Sequence, residues 1–250
     1  MEHKIQPLIP GNTEGLEEIA RQLLEGVPPE NTGAGSPGTH IYQNDMIYIP
    51  TVKLWFTDDI LFRGKNWIDS HKELAKMTKT FPNGYISRLR MPTPAETWGL
   101  VLYAKEHLDD LKLRKVYEDI LKKKPENTWR GEWQNARFVE GSGFNNLNLE
   151  TVIDVDLNGI RKTNSVALQP CSGNNIYAKL KTNSQGFLTE PSPYGEYKQG
   201  ENIYFWAPVK NAVAWFGADS DWAILDCGRG PPYASSSLGV RGCTSAEGAR

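Results

Sequence analysis

Hydrophobic and polar residues alternate most regularly near the end of the chain, from Asn202 to Arg241. Strict alternation is typical of a strand with two different faces. The first predicted strand places Val213, Trp215 and Gly217 on one face and Ala212, Ala214 and Phe216 on the other. The second places Trp222, Ile224 and Asp226 on one face and Ala223, Leu225 and Cys227 on the other. We predict a turn between them at Gly217 to Asp221, then a Gly-, Pro- and Ser-rich loop and a short strand ending at Arg241.

Helical spacing of apolar residues predicts four helices, over residues 12–26, 69–80, 93–108 and 109–124. The third has the clearest start. Thr93 is suited to the N-cap, Pro94 to the first helical position, and Glu96 completes a capping box three residues after Thr93.

Strand-like runs also lie outside the C-terminal segment. Residues 40–56 contain two runs separated by Pro50, and residues 151–155 and 166–168 are separated by the turn signal Asn158-Gly159. Asp154, Asp156 and Asn158 have the spacing of calcium ligands, but an EF-hand loop would need a carboxylate at Ser165. We therefore favour a hairpin there, and a calcium site of another type stays open. The mixture of helices and antiparallel strands predicts the α+β class.

Composition limits the classes of function. The chain has 250 residues, a net charge of −2 and 39% hydrophobic residues, which is enough for one domain over residues 1–250 with a substantial core. The balanced charge argues against a nucleic-acid partner, which requires a clustered basic face. No apolar run reaches membrane-spanning length and the N-terminal residues have no apolar signal region, so we expect a cytoplasmic or virion-associated protein.

Residues able to carry catalysis or bind a metal are few and scattered. The three cysteines lack zinc-site spacing, and we expect reduced thiols, with a Cys227–Cys243 disulfide as the alternative. The four histidines are dispersed, and no metalloprotease, nucleophile-elbow or phosphate-loop motif is present. We therefore predict no catalytic residues, no cofactor and no metal.

The stretch from Gly217 to Arg241 contains no Lys, Glu, Gln or Met, although Lys and Glu are common elsewhere. A tight Gly/Ser-rich turn region is one explanation. Another lies in the genetic code: randomising the two adenines of the Asn codons AAC and AAT yields Tyr, Ser, Asp, Gly and similar residues, but cannot yield Lys, Glu, Gln, Met or Trp. Every residue of the stretch except Trp222 can be reached in this way.

The framework of this stretch resembles the variable region of target proteins of diversity-generating retroelements, of archaeal or viral type. The resemblance rests on segments 212–216, 220–223 and 236–241, with Leu225, Cys227, Arg229 and Pro231 between them. It implies a C-type lectin fold that displays randomised residues, with residues 202–241 as the ligand-binding segment. The implied variable positions are Gly217, Asp219, Ile224, Asp226, Gly228, Gly230, Pro232, Tyr233 and Ser235. The implied scaffold residues are Trp215, Trp222, Leu225, Leu238 and Arg241, and Arg241 is expected to pair with a buried carboxylate or a backbone oxygen.

A second motif resembles the helix start of the formylglycine-generating-enzyme branch of the C-type lectin fold. It runs from Arg88 to Trp98, and Gly239-Val240-Arg241 occupies the place of the final strand of that branch. Both resemblances imply the same α+β fold.

Three functions are compatible with these resemblances. The first is a display protein, expected to be monomeric, whose variable residues bind a macromolecular ligand such as a surface protein or a glycan. Tyr233 is its best contact residue, because aromatic side chains dominate binding hot spots. The alternatives are an enzyme of the formylglycine-generating-enzyme superfamily that depends on Cys227 and Cys243, and an invariant structural protein of a virion.

Overall fold

The structure, a computed structural model, describes residues 42–43, 45–81, 84–126, 128–156 and 158–245. In chain order the elements are β1 (Tyr42–Gln43), β2 (Met46–Ile49), β3 (Leu54–Thr57), α1 (Trp67–Lys76), β4 (Thr78–Thr80), β5 (Ile86–Arg88), α2 (Pro94–Glu106), α3 (Leu111–Leu121), β6 (Arg130–Glu140), a 3-10 turn (Phe144–Asn146), β7 (Leu147–Asp156), β8 (Gly159–Ala167), β9 (Ile176–Lys179), β10 (Asn202–Trp206), β11 (Val213–Ala218), β12 (Ala223–Arg229), β13 (Leu238–Gly239) and β14 (Cys243–Ser245). The fold is of the α+β class, as predicted.

A large sheet in the strand order β8-β7-β6-β11-β12-β10-β9 carries the C-terminal segment at its centre, and β13 pairs with β6. Its pairs are antiparallel except for β10 with β12 and β13 with β6, which are parallel. A smaller sheet has the order β1-β2-β3-β14, so the last described strand returns to the first ones. The predicted β11–β12 hairpin is confirmed, but its turn lies at residues 219–222 and not at 217–221, because Gly217 and Ala218 still pair with β12.

The two faces of β11 and β12 border two hydrophobic clusters, which confirms the predicted alternation. Ala214, Phe216 and Leu225 belong to the cluster that α2 and α3 cover, where the Trp98 ring meets the edge of Phe216 at 5.0 Å. Val213, Trp215, Ile224 and Trp133 belong to the cluster on the other face. There α1 packs mainly on β7 and β8, and the indole N–H of Trp67 donates to the backbone oxygen of Gln134 in β6 at 2.7 Å.

The three helices predicted within the described residues are present, and their bounds differ from the predicted ones by up to four residues. Thr93 and Glu96 form the reciprocal capping box at the start of α2. The segment predicted as a helix over 69–80 is helical only from Trp67 to Lys76, because residues 78–80 pair instead with β5. The helix over 109–124 is shorter at both ends, with Asp110 as its cap. The helix predicted over 12–26 lies outside the described residues.

The Asp156 side chain closes the β7–β8 hairpin, as we favoured over an EF-hand loop. Its Oδ1 accepts hydrogen bonds from the backbone N–H groups of Asn158, at 2.8 Å, and Gly159, at 3.1 Å. A carboxylate that satisfies turn donors in this way explains the Asp-rich spacing.

Arg241 joins the two sheets from a fully buried position. Its guanidinium donates to both carboxylate oxygens of Glu132, at 3.1 and 2.8 Å, and to the backbone oxygen of Thr57 at 2.7 Å. Both kinds of predicted partner are therefore present. Close by, Arg90 and Cys243 exchange two backbone hydrogen bonds, at 2.9 and 2.8 Å. The helix-start motif therefore pairs with the chain two residues after the C-terminal strand motif.

The helices of the described chain are too short or too polar to cross a membrane.

Candidate functional site

Strand register sets distant aromatic residues side by side on one face of the large sheet. Residues that are direct partners on neighbouring strands present their side chains on the same face. One row across β6, β11, β12 and β10 consists of Trp133, Trp215, Asp226 and Trp206. The next row, which extends to β9, consists of Gly131, Gly217, Ile224, Tyr204 and Tyr177.

A concavity of about 310 Å³ lies on this face, and we call it the aromatic concavity. Four of the eight tryptophans contribute to it. Its lining residues are Trp129, Trp206, Trp215, Ala218, Asp219, Trp222, Ile224, Asp226, Arg229 and Tyr233.

The wall of the aromatic concavity is a chain of aromatic contacts. The rings of Tyr204 and Trp222 are stacked, 5.1 Å apart at 22°, and Tyr204 also meets Trp206 at 5.6 Å. Trp129 packs against Trp215 at 5.5 Å. Trp206 is nevertheless 40% exposed, so a broad indole surface faces solvent at the rim.

Polar groups are concentrated at the end of β12. Asp226 accepts a hydrogen bond from the backbone N–H of Gly228 at 2.7 Å and pairs with Arg229 at 3.4 Å. The Arg229 guanidinium lies 4.7 Å from the ring centre of Tyr233, a cation–π distance. These contacts join Asp226, Arg229 and Tyr233 into one group.

Two N–H groups of the lining residues lack an acceptor within the described part of the chain. They are the indole Nε1 of Trp215, a side chain only 5% exposed, and the Nε of Arg229. A buried donor without a partner costs about 1 to 3 kcal/mol. Both atoms are shielded from solvent and belong to residues that line the aromatic concavity, so each is an unsatisfied donor at this site.

Four of the predicted variable residues line the aromatic concavity: Asp219, Ile224, Asp226 and Tyr233. Ile224 and Asp226 form its buried part, while Asp219 lies at its edge and Tyr233 is 39% exposed. Four others lie at the end of β12 and on the loop that follows it. Gly228, the penultimate residue of β12, is exposed, as are Gly230 and Pro232 on the loop, where Ser235 is half-buried.

Gly217 has no room for a side chain, contrary to the expectation that a substitution there is tolerated. A Cβ added there would lie 2.3 Å from the Trp215 ring and 2.6 Å from the backbone oxygen of Arg130. A Cβ added at its strand partner Gly131 would meet the same ring at 2.7 Å. The two glycines together form the recess in which the Trp215 ring lies.

Backbone contacts hold the loop after β12 in place. The backbone oxygen of Pro231 accepts from the N–H of Trp67 at 3.2 Å, and that of Ser235 accepts from the N–H of Gly64 at 3.1 Å. The Tyr233 N–H donates to the oxygen of Gly230 at 3.0 Å. Because these bonds use main-chain atoms, the loop conformation depends little on most of its side chains.

The five scaffold residues are placed as follows. Leu225 and Leu238 are fully buried, Trp215 is nearly so, and Arg241 is buried with the partners described above. Trp222 is half-buried and stacks on Tyr204. Trp222 and Trp215 therefore both support the sheet and line the aromatic concavity.

Sequence reasoning missed Trp129, Trp206 and Arg229 as site residues. Trp206 reaches the site through the parallel pairing of β10 with β12, which local patterns do not reveal. Arg229 carries a clearer signal, since it follows Asp226 by three residues at the end of an alternating strand.

The three cysteines are free and buried, which confirms reduced thiols and shows that the alternative Cys227–Cys243 disulfide was wrong. Burial raises the pKa of the Cys243 thiol to about 12 and raises that of Cys227 well above its ordinary value. Reactive cysteines need a lowered pKa and some exposure. Neither thiol has these properties.

A second concavity, of about 370 Å³, lies between α1, β5 and β7 and contains none of the predicted site residues. His71 contributes to its wall and is buried, with its ring centre 4.5 Å from that of Trp67 and the two rings nearly perpendicular. Burial lowers the pKa of His71 from 6.5 to about 3, so the imidazole is neutral. This histidine gives the fold a measurable dependence on pH.

We expect the free energy of unfolding to fall by about 1.4 kcal/mol between pH 7.5 and pH 5.5. In this range the unfolded chain binds a proton at His71 and the folded chain does not, so lowering the pH favours unfolding. The stability that neutral His71 provides is complete above pH 6.5 and declines down to pH 3. Urea unfolding at the two pH values measures it.

In the variant His71→Leu, the free energy of unfolding should be the same at pH 7.5 and pH 5.5. In His107→Gln, the difference between the two pH values should remain. Asp119 and Glu96 do not account for it, because their pKa values are lowered from 3.8 and 4.5 and their effects lie below pH 5. An unchanged pH difference in His71→Leu would show that another group is responsible.

Among the residues that the structure describes, no three His, Cys, Asp or Glu side chains are grouped so that they could hold a metal ion. Comparisons with protein-family models, curated proteins and solved structures give no match to the chain. Its function is therefore inferred from the aromatic concavity and the residues around it.

Proposed function

We propose that the chain is a ligand-binding display protein diversified by a retroelement, with a C-type lectin fold of the formylglycine-generating-enzyme branch. The aromatic concavity and the loop after β12 form its combining surface. A macromolecular ligand, such as a surface protein or a glycan, binds there.

The observation that carries this proposal is the grouping of the variable-type positions. Eight of the nine line the aromatic concavity or lie at the adjoining end of β12 and on the loop after it, within residues 219–235. On the opposite face of β12, Ala223, Leu225 and Cys227 are fully buried. One face of the strand therefore supports the core, while on the other face Ile224 and Asp226, 7% and 5% exposed, line the aromatic concavity. A rigid scaffold that carries adaptable side chains is arranged in this way.

The pairing of the helix-start motif with the chain just after the C-terminal strand motif supports the proposed fold. The segment that precedes α2 and the segment that follows β13 exchange hydrogen bonds between Arg90 and Cys243. Arg90 also forms a two-point ion pair with Glu96 of the capping box, at 2.8 and 2.6 Å. Two motifs that resemble the same branch thus belong to one structural unit.

Sequencing of the gene and its flanks from a population tests the proposal. We expect differences between copies at the codons for eight residues: Asp219, Ile224, Asp226, Gly228, Gly230, Pro232, Tyr233 and Ser235. Each should match an adenine-containing codon in a nearby template copy of this 3′ end, beside a reverse-transcriptase gene. The codons for Trp206, Trp215, Trp222 and, from the packing above, Gly217 should be constant.

Invariant codons without a template would contradict the proposal and leave an unvarying structural role or an enzyme. The structural role and the enzyme predict different effects of replacing the cysteines. An enzyme that depends on Cys227 and Cys243 would lose its activity when either is replaced by serine, whereas a structural protein would lose only stability.

A further inference from the structure

We infer that the aromatic concavity binds a neutral pyranose ring of a glycan, with a constant indole platform that sets the ligand class and variable residues that select among sugars. The division into constant and variable residues rests on the proposed function. The ligand chemistry rests on the lining residues themselves.

The genetic code keeps the platform constant in this scheme. Tryptophan has the single codon TGG, and randomising the first two bases of AAC or AAT leaves C or T in the third position. Trp129, Trp206, Trp215 and Trp222 therefore cannot arise by this route, and the first three also precede the whole variable-type segment. Every copy would share four indoles in the site and differ at Asp219, Ile224, Asp226 and Tyr233.

Indole faces suit the apolar side of a sugar ring. The face of an aromatic ring is negative, and it attracts the weakly positive hydrogen atoms of C–H bonds. A pyranose offers such hydrogen atoms on one face and hydroxyl groups around its edge. Trp206, 40% exposed beside the stacked pair Tyr204 and Trp222, is the most accessible platform.

The polar groups of the site both donate and accept, as hydroxyl groups require. Asp219 and Asp226 supply acceptors, and the Arg229 guanidinium supplies donors. The unpaired N–H groups of Trp215 and Arg229 need oxygen acceptors. A quaternary ammonium ion has no acceptor to offer them, and a hydrocarbon has neither acceptors nor donors.

The size and the charge of the aromatic concavity restrict the class of ligand further. A volume of about 310 Å³ is at the small end of ligand pockets, which suits a short saccharide segment. The lining holds two aspartates and one arginine, so its charge is slightly negative and disfavours acidic sugars.

Titration of the full-length chain with neutral saccharides tests the inference. The probes are the methyl glycosides of glucose, galactose and mannose, N-acetylglucosamine, and the β1,4-linked trisaccharides of glucose and N-acetylglucosamine. Binding is followed by tryptophan fluorescence and by calorimetry. We expect saturable binding of at least one probe, and a loss of affinity of about tenfold or more in Trp206→Ala.

Tyr194→Ala is the matched control, because Tyr194 is an aromatic residue of equal exposure, 41%, that does not line the aromatic concavity. Its affinity should equal that of the unaltered chain. Circular dichroism and the melting temperature of both variants show whether folding is retained. Asp226→Asn, which keeps an acceptor but loses the charge, should change the preference among the sugars more than the overall affinity.

Several results would overturn the inference. They are the absence of binding for every probe, an affinity in Trp206→Ala that equals that of the control, and selection of a peptide from a displayed library in place of any saccharide. These outcomes are separate from the sequencing test. Variable codons without saccharide binding would refute the ligand class alone, whereas saccharide binding with invariant codons would refute the display function alone.

Discussion

Replacing Arg241 with methionine is expected to lower the free energy of unfolding by about 3 to 5 kcal/mol. The guanidinium is fully buried and donates to both oxygens of Glu132 and to the backbone oxygen of Thr57. Methionine fills much of the volume but leaves the Glu132 carboxylate, 2% exposed, without its counter-ion. The cost is therefore mainly that of an uncompensated buried charge, and urea unfolding at pH 7 measures it.

Two further variants separate this cause from a loss of packing. The double variant Arg241→Met with Glu132→Leu removes both charges and should recover much of the loss, because replacing a buried pair by apolar residues is often close to neutral. Arg161→Met is the surface control. Its pair with Asp156 is largely exposed, and its loss should cost about 1 kcal/mol or less. A small effect of Arg241→Met would contradict the role of Arg241 as the link between the sheets.

The sequence predicted local structure best where local interactions decide it. The capping box depends on Thr93 and Glu96, which are three residues apart, and the period-two pattern lies within β11 and β12 themselves. Both features can therefore be recognised from neighbouring residues alone. The end of α1 was misplaced because residues 78–80 gain hydrogen bonds from β5, and that pairing does not show in the helical pattern of residues 69–80. Pairing between distant segments overrode local propensity there.

The candidate site was only partly predictable for the same reason. Asp219, Ile224, Asp226 and Tyr233 belong to one continuous segment, and the resemblance of that segment to a variable region implied them. Trp206 and Trp129 come from β10 and from the residue before β6, and only the order of strands in the large sheet brings them to the aromatic concavity. A pattern read along one segment cannot reveal which other strands lie beside it.

Gly217 shows where a pattern of codons and a packed structure disagree. By residue chemistry it belongs with Gly228 and Gly230, since all three are reachable from an Asn codon. In the structure it lies beneath the Trp215 ring, whereas the other two glycines are exposed. Reachability from a codon is thus a necessary condition for a variable residue, and room for a larger side chain is a second one.

Substituting serine for Gly217 is therefore expected to lower the free energy of unfolding by about 1 to 3 kcal/mol, while Gly228→Ser and Gly230→Ser should change it by about 0.5 kcal/mol or less. None of the three glycines has positive φ, so the comparison isolates the space around the new Cβ. That atom would lie 2.3 Å from the Trp215 ring at Gly217, but 3.4 Å from its nearest neighbour at Gly228 and 3.8 Å at Gly230.

Urea unfolding of the three variants gives the free energies, and a blue or red shift of tryptophan emission in Gly217→Ser alone would report the displaced ring. Equal stability of all three variants would restore Gly217 to the variable set and show that the Trp215 ring adapts.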